Sequence, residues 1–169
     1  MLIPTKKVPN LKVALTNGDQ WELSSQLGEN FTMIVYYRGL HCPVCKNYLE
    51  DLAKKLEDFK ERGVNVIAVS ANTKELAIET TEKWRIPGLT LGYGMSIEEA
   101  REWGLYVSNG ISDKEPKTFF EPGLFLILPD QTLYACSLQS MPFARPEFKD
   151  VLNAISYVNK TGYPARGDA

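Results

Sequence analysis

The 169-residue chain predicts one three-layer α/β domain: a mostly parallel central sheet whose last strands run antiparallel, with helices on both faces. Three observations carry that reading. Short apolar runs of strand length alternate with segments whose apolar residues recur every three or four positions. Capping and stopping residues fall between these segments. The last two strand-like runs are separated only by a tight turn, which makes them an antiparallel pair.

Lys12 to Leu15 and Trp21 to Leu23 flank Asn17-Gly18, which supplies the positive backbone angles of a hairpin turn, so an N-terminal β-hairpin is expected. Phe31 to Tyr37, apolar except for Thr32, reads as a strand covered on both faces. Cys45, Tyr48, Leu49, Leu52, Leu56 and Phe59 then trace one face of a long helix that ends at Gly63, with Glu50–Lys54 and Asp51–Lys55 as exposed pairs four apart. Val64 to Val69 is a second buried strand. Asn72 with Glu75 three residues later has the spacing of a capping box for a helix reaching Trp84. Leu89 to Leu91 is a short third strand, and Ser96 with Glu99 repeats the capping spacing before a helix ending near Gly104. Residues 105–121 show no periodicity and are expected to be irregular. Leu124 to Leu128, the turn at Pro129-Asp130 and Leu133 to Leu138 form a second hairpin. Pro146 opens a last helix with Phe148, Val151, Leu152, Ile155 and Val158 on one face. Residues 1–161 are expected to form the domain and 162–169 a flexible tail.

Composition removes several function classes. Nineteen Lys and Arg against 21 Asp and Glu leave a net charge of −2, without the excess of positive charge that nucleic acid or an anionic membrane surface demands. The longest apolar runs are strand-sized, far below the ~20 residues that span a bilayer. Residues 1–10 lack the apolar stretch of a secretory signal, and a reducing cytoplasm is the expected location. Gly92-Tyr93-Gly94 lacks a third glycine in register and reads as a turn, not a dinucleotide site.

Three cysteines are too few for a disulfide-stapled scaffold, and an odd number cannot all pair within the chain. Position therefore decides their meaning. His41-Cys42-Pro43-Val44-Cys45 sits where a buried strand ends and a helix begins, with Cys42 as the cap and Pro43 as the first helical residue. Unpaired backbone N–H groups and the positive end of the helix dipole favour an anionic sulfur at Cys42. Arg38 and His41 are candidates for added positive charge. Cys45, one turn along, is within disulfide reach of Cys42. Redox chemistry is the leading reading, with metal binding and simple packing as alternatives, since the same spacing serves zinc sites. A zinc site needs two further ligands, and His41 and Cys136 are the remaining soft candidates, so no metal and no other cofactor is expected. Cys136, in an apolar strand, reads as a core thiol.

On the stretch Tyr37 to Cys45, with Val66 to Ser70, Ala100 to Gly104 and Pro122 before the Leu124 strand, the chain resembles the peroxiredoxin-like (alkyl hydroperoxide reductase/thiol-specific antioxidant, redoxin) family from about Val8 to Val158. The resemblance implies a thioredoxin-like fold, a central mixed sheet flanked by helices. It implies that Cys42 attacks a peroxide and Cys45 resolves the product, and that Pro122 occupies the place of the cis-proline beside the active cysteines. Expected partners are a peroxide or disulfide substrate and a thioredoxin- or glutaredoxin-type thiol donor, with a homodimer as a possible assembly. Alternatives are disulfide exchange on protein substrates and a non-catalytic metal-binding or redox-sensing module. Two positions depart from the family pattern Pro-x-x-x-Thr/Ser-x-x-Cys: Val35 stands at the proline and Gly39 at the hydroxyl residue. The family arginine before the late strand is also absent, leaving Arg38 or Arg145 as the candidate substitutes.

Overall fold

Phe31–Tyr36 is buried at all six positions, which places it in the middle of a sheet instead of at an edge. The computed structural model, which describes residues 1–169, puts this strand (β3) inside a seven-stranded sheet. Its companions are β1 (Lys12–Leu15), β2 (Gln20–Glu22), β4 (Val64–Val69), β5 (Leu91–Tyr93), β8 (Gly123–Ile127) and β9 (Leu133–Leu138). The order is β2-β1-β5-β4-β3-β8-β9. β3, β4 and β5 run parallel, whereas β8 is antiparallel to β3 and to β9. The N-terminal hairpin extends this same sheet, because β1 pairs antiparallel with β5.

Side chains alternate across β3 and build two cores. Phe31, Met33 and Val35 face α1 (Pro43–Lys54), α2 (Leu56–Glu61) and α5 (Phe148–Thr161) through Leu49, Leu52, Phe59, Phe148 and Ile155. Ile34 and Tyr36 face the other side, where Trp103, Phe120 and Phe125 surround the Tyr36 ring at centroid distances of 5.6, 5.8 and 5.5 Å. Truncating one of these buried aromatics to alanine costs roughly 3–5 kcal/mol, so the platform behind the site is stiff. No helix is long and apolar enough to cross a membrane.

Several local expectations change; the third strand, for one, is Leu91–Tyr93 and takes in part of the expected Gly92-Tyr93-Gly94 turn, and the last helix starts at Phe148, two residues after Pro146. The long helix is broken at Lys55, whose N–H bonds the Leu52 carbonyl three residues back; the apolar spacing continues through this tightened turn, so periodicity does not reveal it. Gly63, at φ +72°, then ends α2 as expected. The cap of α3 (Lys74–Lys83) is Thr73, whose side chain accepts from the Leu76 N–H at 3.3 Å. Asn72 is instead drawn inside. Residues 105–121 are not wholly irregular: β6 (Val107–Asn109) and β7 (Thr118–Phe120) form a separate antiparallel ribbon beside α4 (Ile97–Glu102). Strands of three residues are too short for an alternation to be read. Finally, Glu50 accepts a hydrogen bond from the Arg85 N–H at 2.9 Å instead of pairing with Lys54, while Asp51–Lys55 forms as expected. The tail 162–169 is mostly exposed, with the Tyr163 carbonyl accepting from the Tyr134 hydroxyl at 3.0 Å.

Candidate active site

The site forms where β3 hands over to α1. Gly39, at φ +132°, turns the chain in a backbone conformation that only glycine adopts without strain. A β-carbon there would also stand 2.5 Å from the Asn72 Oδ1. A side chain at that position would therefore have to displace the Asn72 amide. The Gly39 carbonyl accepts from the Cys42 N–H at 3.2 Å. Cys42 is the N-cap of α1, Pro43 its first residue, and the Cys42 sulfur accepts from the Cys45 N–H at 3.2 Å. A sulfur in this role replaces the oxygen of an ordinary cap and receives one of the helix's unpaired donors.

Cys42 and Cys45 are joined as a disulfide, with Cα atoms 5.2 Å apart. One turn of α1 brings the two side chains together. Both residues are sealed, at 1% and 0% exposure. The cation that reaches them is Arg145, on the loop before α5: its Nη2 lies 3.3 Å from the Cys45 sulfur and 3.9 Å from that of Cys42. Nη2 and Nε also donate to the Pro142 carbonyl at 3.0 and 3.2 Å, and the guanidinium lies 5.1 Å from the centre of the Tyr48 ring. Tyr48 in turn stacks on Phe148 and donates its hydroxyl to the Pro146 carbonyl at 2.6 Å. Burial pushes the Tyr48 phenol up, partly opposed by Arg145, so it remains a donor. Nη1 of Arg145 is buried and has no partner. A groove of about 730 Å³ between α1 and α5, lined in part by Val44, Tyr48, Arg145 and Pro146, leads to this guanidinium.

Arg38 and His41 serve elsewhere. Arg38 pairs with the buried Glu121 at 3.2 Å and with Glu115 at 3.6 Å, and lies over the Phe119 ring. Glu121, 3% exposed, also accepts from the Ser108 hydroxyl at 2.7 Å. The His41 ring packs against Phe119 at 4.7 Å. Burial first, and then the Arg38 charge, hold its pKa below the ordinary 6.5, so at neutral pH it carries no charge toward the sulfurs. The expectation of positive charge from this residue is corrected. Every peptide bond is trans, including that of Pro122, so the cis geometry implied by the resemblance is not adopted. Pro122 nevertheless borders a small void with Tyr36, Tyr48 and Arg145, and its carbonyl accepts from the Gln139 N–H at 3.0 Å. Cys136 is also reassigned. It is exposed on β9, an edge strand, directly across the ladder from Phe125. No three metal-ligating side chains converge anywhere in the chain.

A mixed sheet with a C-x-x-C disulfide opening the helix after the central strand defines a thioredoxin-like redox domain. The sequence model of the AhpC/TSA family matches residues 4–136, and the chain belongs to that family. Alkyl hydroperoxide reductase C of Helicobacter pylori is 29% identical over 80 residues, covering 44% of this chain and 40% of that protein. Thiol-disulfide oxidoreductase ResA of Halalkalibacterium halodurans is 32% identical over 62 residues, covering 37% of this chain and 34% of that protein. The matched part thus spans well under half the length of these relatives. Among solved structures, a mutant of the peroxiredoxin 6 of Arenicola marina superposes with a TM-score of 0.78 at 20% identity, covering 96% of this chain and 76% of that one. The mitochondrial 2-Cys peroxiredoxin of Plasmodium falciparum gives 0.74 at 18% identity, covering 97% and 100%.

Proposed function

We propose that the protein is a thiol-dependent peroxide reductase that cycles between the Cys42–Cys45 disulfide and the dithiol. The single observation that carries this reading is the placement of two sulfurs with two different stabilising groups. Cys42 has the Cys45 N–H at the start of α1, and Cys45 has the Arg145 guanidinium. Each group favours the anion at its own sulfur. In the forward half-reaction the Cys42 thiolate attacks one oxygen of ROOH, the O–O bond breaks, and the alkoxide takes a proton and leaves as ROH. Nη1 of Arg145 is the free donor for the charge that develops on the departing oxygen. The Cys42 sulfenic acid then meets the Cys45 thiolate; an S–S bond forms, and the hydroxyl leaves as water on gaining a proton. A cellular dithiol returns two electrons and two protons.

Stopped-flow mixing of the reduced protein with hydrogen peroxide and with an organic hydroperoxide tests the proposal. Consumption of Cys42 far faster than that of free cysteine is expected, and a rate equal to free cysteine overturns it. One observation favours a second reading, thiol-disulfide exchange on a protein partner: Gly39 leaves no hydroxyl to align a peroxide. On that reading the reduced protein opens a model protein disulfide and ignores peroxide.

A further inference from the structure

Residues 140–146 join β9 to α5 and carry Arg145 to the sulfurs. None of their backbone N–H or carbonyl groups takes part in a backbone–backbone hydrogen bond. The last such tie before the segment is the Gln139 N–H to the Pro122 carbonyl at 3.0 Å, and the next is the Asp150 N–H to the Glu147 carbonyl at 3.0 Å. The segment's large apolar side chains do not hold it down either, since Met141 and Phe143 are 45% and 76% exposed. A stretch without ladder bonds or buried anchors belongs to the low-stability end of a fold. The bonds from Arg145 to the Pro142 carbonyl close within the segment, so they fix its shape and not its place.

Apart from the contacts of Arg145 with the two sulfurs, one hydrogen bond ties this segment to the rest of the chain. It is the Tyr48 hydroxyl to the Pro146 carbonyl, at 2.6 Å. The same ring lies 5.1 Å from the Arg145 guanidinium carbon and stacks on Phe148 at 4.2 Å. Phe148 is buried in the core, so the ring has a fixed floor. Tyr48 stands one turn beyond Cys45 on the same face of α1. One rigid helix therefore carries both the sulfur and the side chain that grips the neighbours of its cation. A phenylalanine would fill the same space, and the hydroxyl bond to Pro146 is what tyrosine alone adds. Burial pushes the phenol up, so that bond persists across the pH range of thiol chemistry. We propose that Tyr48 is the positioning residue that sets the Arg145 guanidinium against the Cys45 sulfur; the inference rests on the thiol-redox reading above. Tyr48 touches neither sulfur's chemistry directly and acts only through Arg145.

The test uses the full chain carrying Cys42→Ser and Cys136→Ser, which leaves Cys45 as its one thiol, and follows thiolate absorbance against pH. Cys45 should titrate below the ordinary cysteine value of ~8.5. Tyr48→Phe should raise that midpoint by about half a pH unit, the scale of one lost neutral hydrogen bond, and Tyr48→Leu, which also removes the ring, by about one. With Arg145→Met added, neither Tyr48 change should move the midpoint further, because the cation it places is gone. A merely structural role would not show this dependence on Arg145. Tyr48→Phe keeps the ring and its stack, so the test survives if Tyr48→Leu does not fold. A midpoint unmoved by Tyr48→Phe, or moved equally with and without Arg145, overturns the proposal. In the chain with all its cysteines, Tyr48→Phe should slow disulfide closure about threefold, the factor that half a unit represents. The peroxide reading is judged apart: if Cys42 ignores peroxide while Cys45 titrates as described, that reading falls and the role of Tyr48 stands.

Discussion

Cys42 and Cys45 are sealed from solvent, whereas Cys136 sits exposed on an edge strand. Burial by itself would make the pair inert and the third cysteine reactive. The surroundings reverse this ranking. The buried sulfurs receive a backbone N–H and a guanidinium, both of which favour a thiolate. Cys136 receives neither, and partial desolvation on the sheet face pushes its thiol up despite its exposure at the surface. Accessibility sets who can reach a sulfur, and nearby dipoles and charges set what that sulfur can do.

The largest effect that would break this contrast comes from deleting the thiols. Cys42→Ser should abolish peroxide consumption and disulfide cycling, while Cys136→Ser should leave both within about twofold, as for a remote surface change; equal losses would erase the distinction. Next in size is Arg145→Met. Removing a charge-assisted contact worth roughly 1.5–3 kcal/mol should slow disulfide closure about 10- to 100-fold. Thiolate absorbance followed against pH should show the Cys45 titration moving upward. A rate and a titration that both stay put would show that the guanidinium only fills space.

A smaller effect sharpens the other side of the comparison. In the oxidised protein Cys136 is the free thiol, and its alkylation by iodoacetamide at neutral pH should be slower than that of free cysteine. The rate should rise only as pH passes the ordinary cysteine range; faster alkylation would contradict its desolvated setting. The smallest concerns His41, the chain's one histidine. With its pKa depressed in the folded state, the unfolded chain binds more protons just below pH 6.5. Stability is therefore retained above that pH and lost as pH falls toward the folded value. Its single imidazole resonance should titrate below 6.5 and move upward in Arg38→Gln, since the Arg38 charge is one cause of the depression. A midpoint at the unperturbed value would remove both His41 and Arg38 from this account.

Local chemistry is what the chain alone determined. The strand at Phe31, Cys42 as cap with Pro43 after it, the one-turn spacing to Cys45 and the Ser96–Glu99 capping box all involve neighbours a few residues apart, within reach of helical and strand periodicity. Tertiary structure decided what depends on distant pieces meeting. Arg145 lies 100 residues from Cys45 in sequence yet contacts its sulfur, and no spacing rule could have preferred it to Arg38. The same limit explains the rest. Arg38 is claimed by Glu121, Asn72 is buried beside Gly39, and Cys136 is exposed on a strand that lies at the sheet edge. Side-chain partners across a fold are chosen by packing, which no run of neighbouring residues encodes.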